Sequence, residues 1–243
     1  SRGAYGVIRI TTKRGRSKIP IIQYTTNQFF SVPPQLRSVL GGKDERLIRI
    51  NQVLENDVDY YTGRDKIYDN QILSDSLNPY FNNSTNWQKV FYKPTYNQTH
   101  NVNASGGDEN FNYKINGQYY NEKGIIQNTG FSRYTLSMNS EYRESDRFRL
   151  FVNMSGNIGE QQTGSGNSVT QGGVAKASSA SSLLPAPSSS IVGGGLVSAL
   201  EGRNDNRTTD VKANVDLEYE VFKGMRAKNP FSYNYITYRT DNF

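Results

Sequence analysis

A single histidine, His100, and no cysteine bound the chemistry open to this 243-residue chain. Without cysteine there is neither a disulfide nor a thiolate metal site. A Ser-His-Asp triad would need His100, yet that residue lies in "NQTHNVNASGG", a stretch with strand character and no nucleophile elbow. The reading is a protein that is not an enzyme. Glycines at Gly164, Gly166, Gly172, Gly173, Gly193, Gly194 and Gly195 follow no G-x-G-x-x-G strand-to-helix pattern, so they read as a surface loop, not a phosphate cradle. Inside that loop, "VAKASSASSLLPAPS" reads as a short helix ending before Pro185. Residues 55–70, "ENDVDYYTGRDKIYDN", hold five acids and three tyrosines. Calcium wants carboxylates at roughly alternate positions, and only Asp57 and Asp59 offer that, so neither a metal nor a cofactor is expected. Tyr60, Tyr61 and Tyr68 are instead candidate substrate-binding residues, as stacking surfaces for sugars or peptides in a solvated loop. Trp87 reads as a packing anchor. The net charge of +6 is spread along the chain with no arginine-rich stripe, so no nucleic-acid partner is expected.

The elements that would carry these residues are strands. In 211–221, "VKANVDLEYEV", apolar and polar residues alternate without a break over 11 positions. That is longer than the ~5–6 residues of an average strand, and it matches the ~9–11 that a tilted strand needs to cross a bilayer. The same period marks 111–121, 131–142 and 147–158, with Phe151 the one apolar intruder on the polar phase, and more weakly 19–30 and 95–105. A seventh stretch, 226–239, contains Pro230, which predicts a start after the proline or a bulge at it. Gaps between strands alternate in length: "GGDEN", "RESD" and "FKGM" are tight, whereas 31–94 and 162–207 are long. In an up-and-down meander this puts every tight turn at one end, as in transmembrane barrels. Aromatics flank the tight turns like an interfacial girdle. Only 35% of residues are hydrophobic, and no run approaches a membrane helix. The alternative fold is a soluble β-sandwich.

The opening "GAYGVIRITTKRG" closely resembles the end of the plug domain in SusC-like TonB-dependent outer-membrane transporters of the Bacteroidetes. The motif is carried here by Gly3, Gly6, Val7, Ile8, Ile10, Thr11 and Thr12. "NWQKVFYKPTYNQTHNVNASGGDENFNYKINGQYYNEKGIIQNTGFSRYTLSMN", "LEYEVFKGM" and "YRTDNF" continue the resemblance in order. It implies an all-β fold: residues 1–16 as the end of the plug, and 17–243 as the first seven or so strands of an antiparallel up-and-down barrel of about 22 strands. The chain would then be one portion of a longer protein in the outer membrane of a Gram-negative bacterium. The resemblance further implies active import of a large nutrient, a glycan or a peptide. The implied partners are a SusD-like surface lipoprotein, the TonB-ExbB-ExbD complex acting through an N-terminal region, and outer-membrane lipid, with a dimer of SusCD-like pairs as a further expectation. The competing functions are a non-transporting adhesin or structural surface protein, and a passive porin.

Overall fold

The structure is a computed structural model that describes residues 17–78, 80–163, 179–185 and 204–242. Seven strands follow one another as β1 (Ile21–Ser31), β2 (Thr95–Gly107), β3 (Phe111–Lys123), β4 (Thr129–Ser145), β5 (Phe148–Thr163), β6 (Asn204–Phe222) and β7 (Met225–Asn242). They form a single sheet in sequence order, every neighbouring pair antiparallel. The architecture is therefore the all-β up-and-down wall of a partial barrel, and no second sheet faces it among the described residues. The later strands, 16 to 19 residues long, exceed what a bilayer crossing demands and project beyond it.

The connections alternate as the gap lengths predict. Tight turns at 108–110, 146–147 and 223–224 share one end. In the first, the Asp108 carboxylate accepts the N–H groups of Asn110 and Phe111. In the last, Gly224 sits at φ +95°, a conformation that costs a residue with a Cβ about 1–2 kcal/mol. Arg147 belongs to a turn and not to a strand, so β5 starts one residue later than the periodicity suggests. The connection after β5 is likewise shorter than 162–207, because hydrogen-bonded pairing continues to Thr163 and resumes at Asn204. Pro230 is neither a strand start nor a bulge. It pairs in register with Asp216, and the irregularity lies instead between Glu220 and Phe222. The described sheet ends at β7, and an edge strand tolerates a missing ladder donor.

Between β1 and β2 the chain is not the solvated loop expected from its polarity. It folds into α1 (Gly42–Asn56), α2 (Tyr60–Asp69), α3 (Gln71–Ser74) and α4 (Trp87–Phe91). Asp59 caps α2, its carboxylate accepting Thr62 N–H and Oγ1–H, both at 2.9 Å. Gly63 lets α2 close on the end of α1: a Cβ there would stand 3.3 Å from Asp57 Cβ and 3.5 Å from Leu54 Cδ2. Of the helix read from 174 to the residue before Pro185, residues 179–184 take turns and bends instead, and 174–178 lie outside the described residues. The plug-end motif Gly3, Gly6, Val7, Ile8, Ile10, Thr11 and Thr12 lies outside the described residues, as do the loop glycines.

Among the described residues, the fully buried apolar side chains lie outside the sheet. The buried apolar residues Leu73, Trp87, Phe91 and Leu183 all lie in the connections. Trp87 and Phe91 pack with Val90, Tyr92, Ile126, Ala180 and Leu184, so the connections after β1, β3 and β5 make one cap at the end opposite the tight turns.

Candidate functional site

Register divides the wall into two chemically distinct faces. One face carries Ile22 and Tyr24 of β1, Val102 and Ala104 of β2, Ile115 and Gly117 of β3, and Leu136 and Met138 of β4. It continues through Val152 and Met154 of β5, Ala213 and Val215 of β6, and Phe231 and Tyr233 of β7. Many of these residues are exposed, Leu136 by 61%. So large an apolar surface, with no layer over it among the described residues, fits hydrocarbon. Aromatic rows bound it. Near the tight turns Phe111 opposes Tyr142, the Tyr142 ring lies 6.3 Å from Phe148, and Phe148 opposes Tyr219. Towards the cap, Tyr24, His100, Tyr119 and Tyr134 form a continuous stack with centroid spacings of 6.0, 6.2 and 4.8 Å. His100 is a member of this stack: Tyr24 Oη lies 2.6 Å from its Nδ1. From Tyr134 to Tyr142 is eight residues, about 27 Å along a strand and about 20 Å along the normal of a barrel tilted ~40°, close to the height of a barrel's apolar band.

The opposite face is polar and internally bonded. Asn139, Asn153 and Asn214 form a ladder across β4, β5 and β6: Asn153 Nδ2 donates to Asn139 Oδ1, and Asn214 Nδ2 reaches Asn153 Oδ1 at 3.5 Å. Asn116 Nδ2 donates to Asn103 Oδ1 at 2.7 Å. Nearer the tight turns the amides give way to ions. Glu141 Oε1 lies 2.7 Å from Arg143 Nε and 2.8 Å from Arg149 Nε, and Glu218 lies within 4 Å of Arg149, Arg226 and Lys228. Four strands are thus linked by charge on a face that would be costly to present to lipid. Individually exposed pairs are worth little, but Glu141 is almost fully buried, so the network orders this end of the wall.

The cap carries the sequence-derived candidates. Tyr60, Tyr61 and Tyr68 sit on the exposed side of α2, with Tyr60 and Tyr61 edge to face at 6.0 Å. Tyr60 and Tyr68 line a cleft of about 690 Å³ between α1 and α2, and Tyr61 does not. Arg64 joins them: its Cζ stands 5.5 Å from the Tyr68 ring centroid. Of the acids weighed for calcium, Asp59 is a helix cap and Asp57 accepts Lys66 Nζ at 2.5 Å. Among the described residues no group of three or more His, Asp or Glu is placed to hold a metal ion.

Sequence reasoning missed Arg64, the amide ladder and the fastening of the cap. Leu47, Ile50 and Leu54, followed by Tyr60, Arg64, Ile67 and Tyr68, recur at spacings of three and four, a helical signal that could have exposed the cleft. The fastening left no such trace. Glu45 accepts Ser182 N–H at 2.8 Å and also the Ser182 hydroxyl, Gly42 N–H donates to Ser182 Oγ, and Trp87 Nε1 donates to Ser181 O at 3.1 Å. Burial raises the Glu45 carboxyl pKa, but the hydrogen bonds from Ser182, Ser181 and Arg49 outweigh it and hold it below the usual range.

No family model matches the chain. Over 141 residues it is 28% identical to the TonB-dependent receptor SusC of Bacteroides thetaiotaomicron, covering 57% of this chain and 12% of that protein. It is 26% identical over 157 residues to the TonB-dependent receptor P3 of Formosa agariphila, covering 64% of this chain and 13% of the relative. Among solved structures it resembles the RagAB peptide transporter with a TM-score of 0.66 and 17% identity, over 94% of this chain and 29% of that one. The 'open-open' state of the same importer gives 0.63, with the same coverage. The match thus spans a small part of each relative's length. The ordered motifs, the single antiparallel meander and these relatives agree: the chain is similar to the SusC-like TonB-dependent receptors of the outer membrane, and its seven strands have the fold of part of such a barrel wall.

Proposed function

We propose that the protein imports a large nutrient, an oligosaccharide or a peptide, across the outer membrane, with TonB supplying the energy. One observation carries the reading: a single meander with an aromatic-bordered apolar face and an internally bonded polar face. A wall of that kind separates lipid from an aqueous or protein-filled interior. The family resemblance adds the rest. Residues 1–16 are the end of a plug that fills the lumen, and 17–243 belong to the barrel. The cap lies outside the cell, where a SusD-like lipoprotein closes over it, and dimers of such pairs form. The substrate meets the cap first, and Tyr60, Tyr61 and Tyr68 offer it stacking surfaces.

The test is uptake by cells carrying or lacking the full-length gene, with fluorescent maltooligosaccharides and a fluorescent peptide hydrolysate as probes. Accumulation of either probe should require the gene and TonB, and should stop when the proton gradient is collapsed. Gene-dependent uptake that survives both treatments would indicate a passive pore, and uptake indifferent to the gene an adhesive or structural surface protein.

A further inference from the structure

We infer that the cleft between α1 and α2 is a binding site for a peptide that places an apolar side chain and a carboxylate within a few residues of each other. The inference rests on the import reading, because it names the class of ligand that the outer cap would receive.

The cleft is built for an amphipathic anion. Its volume of about 690 Å³ lies within the ~300–1,000 Å³ of small-ligand sites. Leu47, Ile50 and Ile67 contribute an aliphatic floor, while Tyr68, Arg64 and Lys43 stand exposed at the rim. Beneath them Arg46 is buried, its guanidinium donating to the carbonyls of Ile72 and Phe81, so its positive charge is fixed under the floor. Three cations therefore line the cleft, and neither Asp nor Glu does. A carboxylate entering here meets positive charge with no acid in the cleft lining, and Arg64 stands over the Tyr68 ring where its guanidinium can reach a ligand.

The floor chooses between peptide and glycan. Ser74, Ser76 and Asn82 add polar groups to the lining, but Leu47, Ile50 and Ile67 have no side-chain donor or acceptor, so sugar hydroxyls pressed against the floor itself would lose water without gaining a partner. An apolar side chain loses nothing on the same floor.

The experiment uses the full-length receptor in detergent and fluorescence anisotropy. The probe is a fluorescein-labelled heptapeptide of Leu and Asp with Ser spacers, compared with its Asn-for-Asp twin and with a labelled oligogalacturonate. The Asp peptide should bind about tenfold or more tighter than the Asn peptide, and the oligogalacturonate should be the weakest. In Arg64→Gln the advantage of the Asp peptide should fall several-fold, with Lys43 keeping the remainder, and Ile67→Asn should weaken both. Heat-modifiable gel mobility reports that each variant is folded, and the comparison between peptides in the unaltered receptor needs no variant. The inference is overturned by equal binding of the two peptides, by preferred binding of the oligogalacturonate, by discrimination that is undiminished in Arg64→Gln, or by no binding of the Asp peptide. Any of these alongside intact TonB-dependent uptake overturns the cleft alone; loss of that uptake in the unaltered receptor overturns the import reading.

Discussion

Ser137 and Met138 are neighbours in β4 and face opposite sides of the wall. Met138 lies between Ile115 of β3 and Met154 of β5, four residues from Tyr134 in one direction and four from Tyr142 in the other. Four residues are about 14 Å of strand, or about 10 Å along the membrane normal at a tilt near 40–45°, which puts Met138 at the middle of the apolar band. Met138→Arg should therefore cost about 2–4 kcal/mol, a ~30- to 900-fold loss in the folding equilibrium. Ser137 opposes Asn116 and Ser155 on the polar face, and Ser137→Arg should cost under about 1 kcal/mol. Met138→Leu, which keeps volume and polarity, should be nearly silent. The assay is a urea titration of the full-length barrel in phosphatidylcholine vesicles, followed by heat-modifiable mobility. Equal costs for the two arginines, or a larger one at Ser137, would refute the two-faced wall and favour a sheet with protein or water on both sides.

Further outcomes concern the cap and the turns. Trp87→Ala empties the centre of the cap core and should destabilise the cap by about 3–5 kcal/mol while the strands remain folded, read as faster proteolysis of the connections without loss of heat modifiability. Glu45 has a folded pKa below its usual value, so the stability it lends is full above about pH 4.5 and lost as pH falls through the folded value. Glu45→Gln should cost about 1–2 kcal/mol at neutral pH and abolish that acid sensitivity, measured by hydrogen exchange at 181–184. Gly224→Val forces a β-branched residue to φ +95° and should slow folding or lower barrel stability by at least about 1 kcal/mol in the same urea titration. In a full-length background from which any cysteine outside these 243 residues has been removed, single cysteines at Val58 and Lys223 report orientation: an impermeant maleimide on intact cells should label the first, in the cap, and not the second, in a tight turn.

How much was legible follows from the range over which each feature is determined. A membrane-crossing strand must alternate at every residue, since lipid lies on one side and polar groups on the other. Val211 to Val221 therefore announce their element and their faces without reference to any partner. The tight turns are equally local, and their spacing alone dictated that the long connections share one end. The cap was opaque for the opposite reason. The helices α3 and α4, four and five residues long, do not hold by propensity. The α4 helix exists because Trp87 and Phe91 bury themselves against Ile126 and Leu184, and Glu45 finds its partner in Ser182, 137 residues away. Register had the same hidden character: periodicity placed Asn139, Asn153 and Asn214, or Glu141 and Arg149, on the polar face of each strand, but only the pairing of β4, β5 and β6 set them side by side. By itself the sequence determined the strands, their two faces and the alternation of their connections. The tertiary structure decided the cap, the cleft with Arg64 at its rim and the bonded inner wall, because each depends on contacts between segments that are remote along the chain.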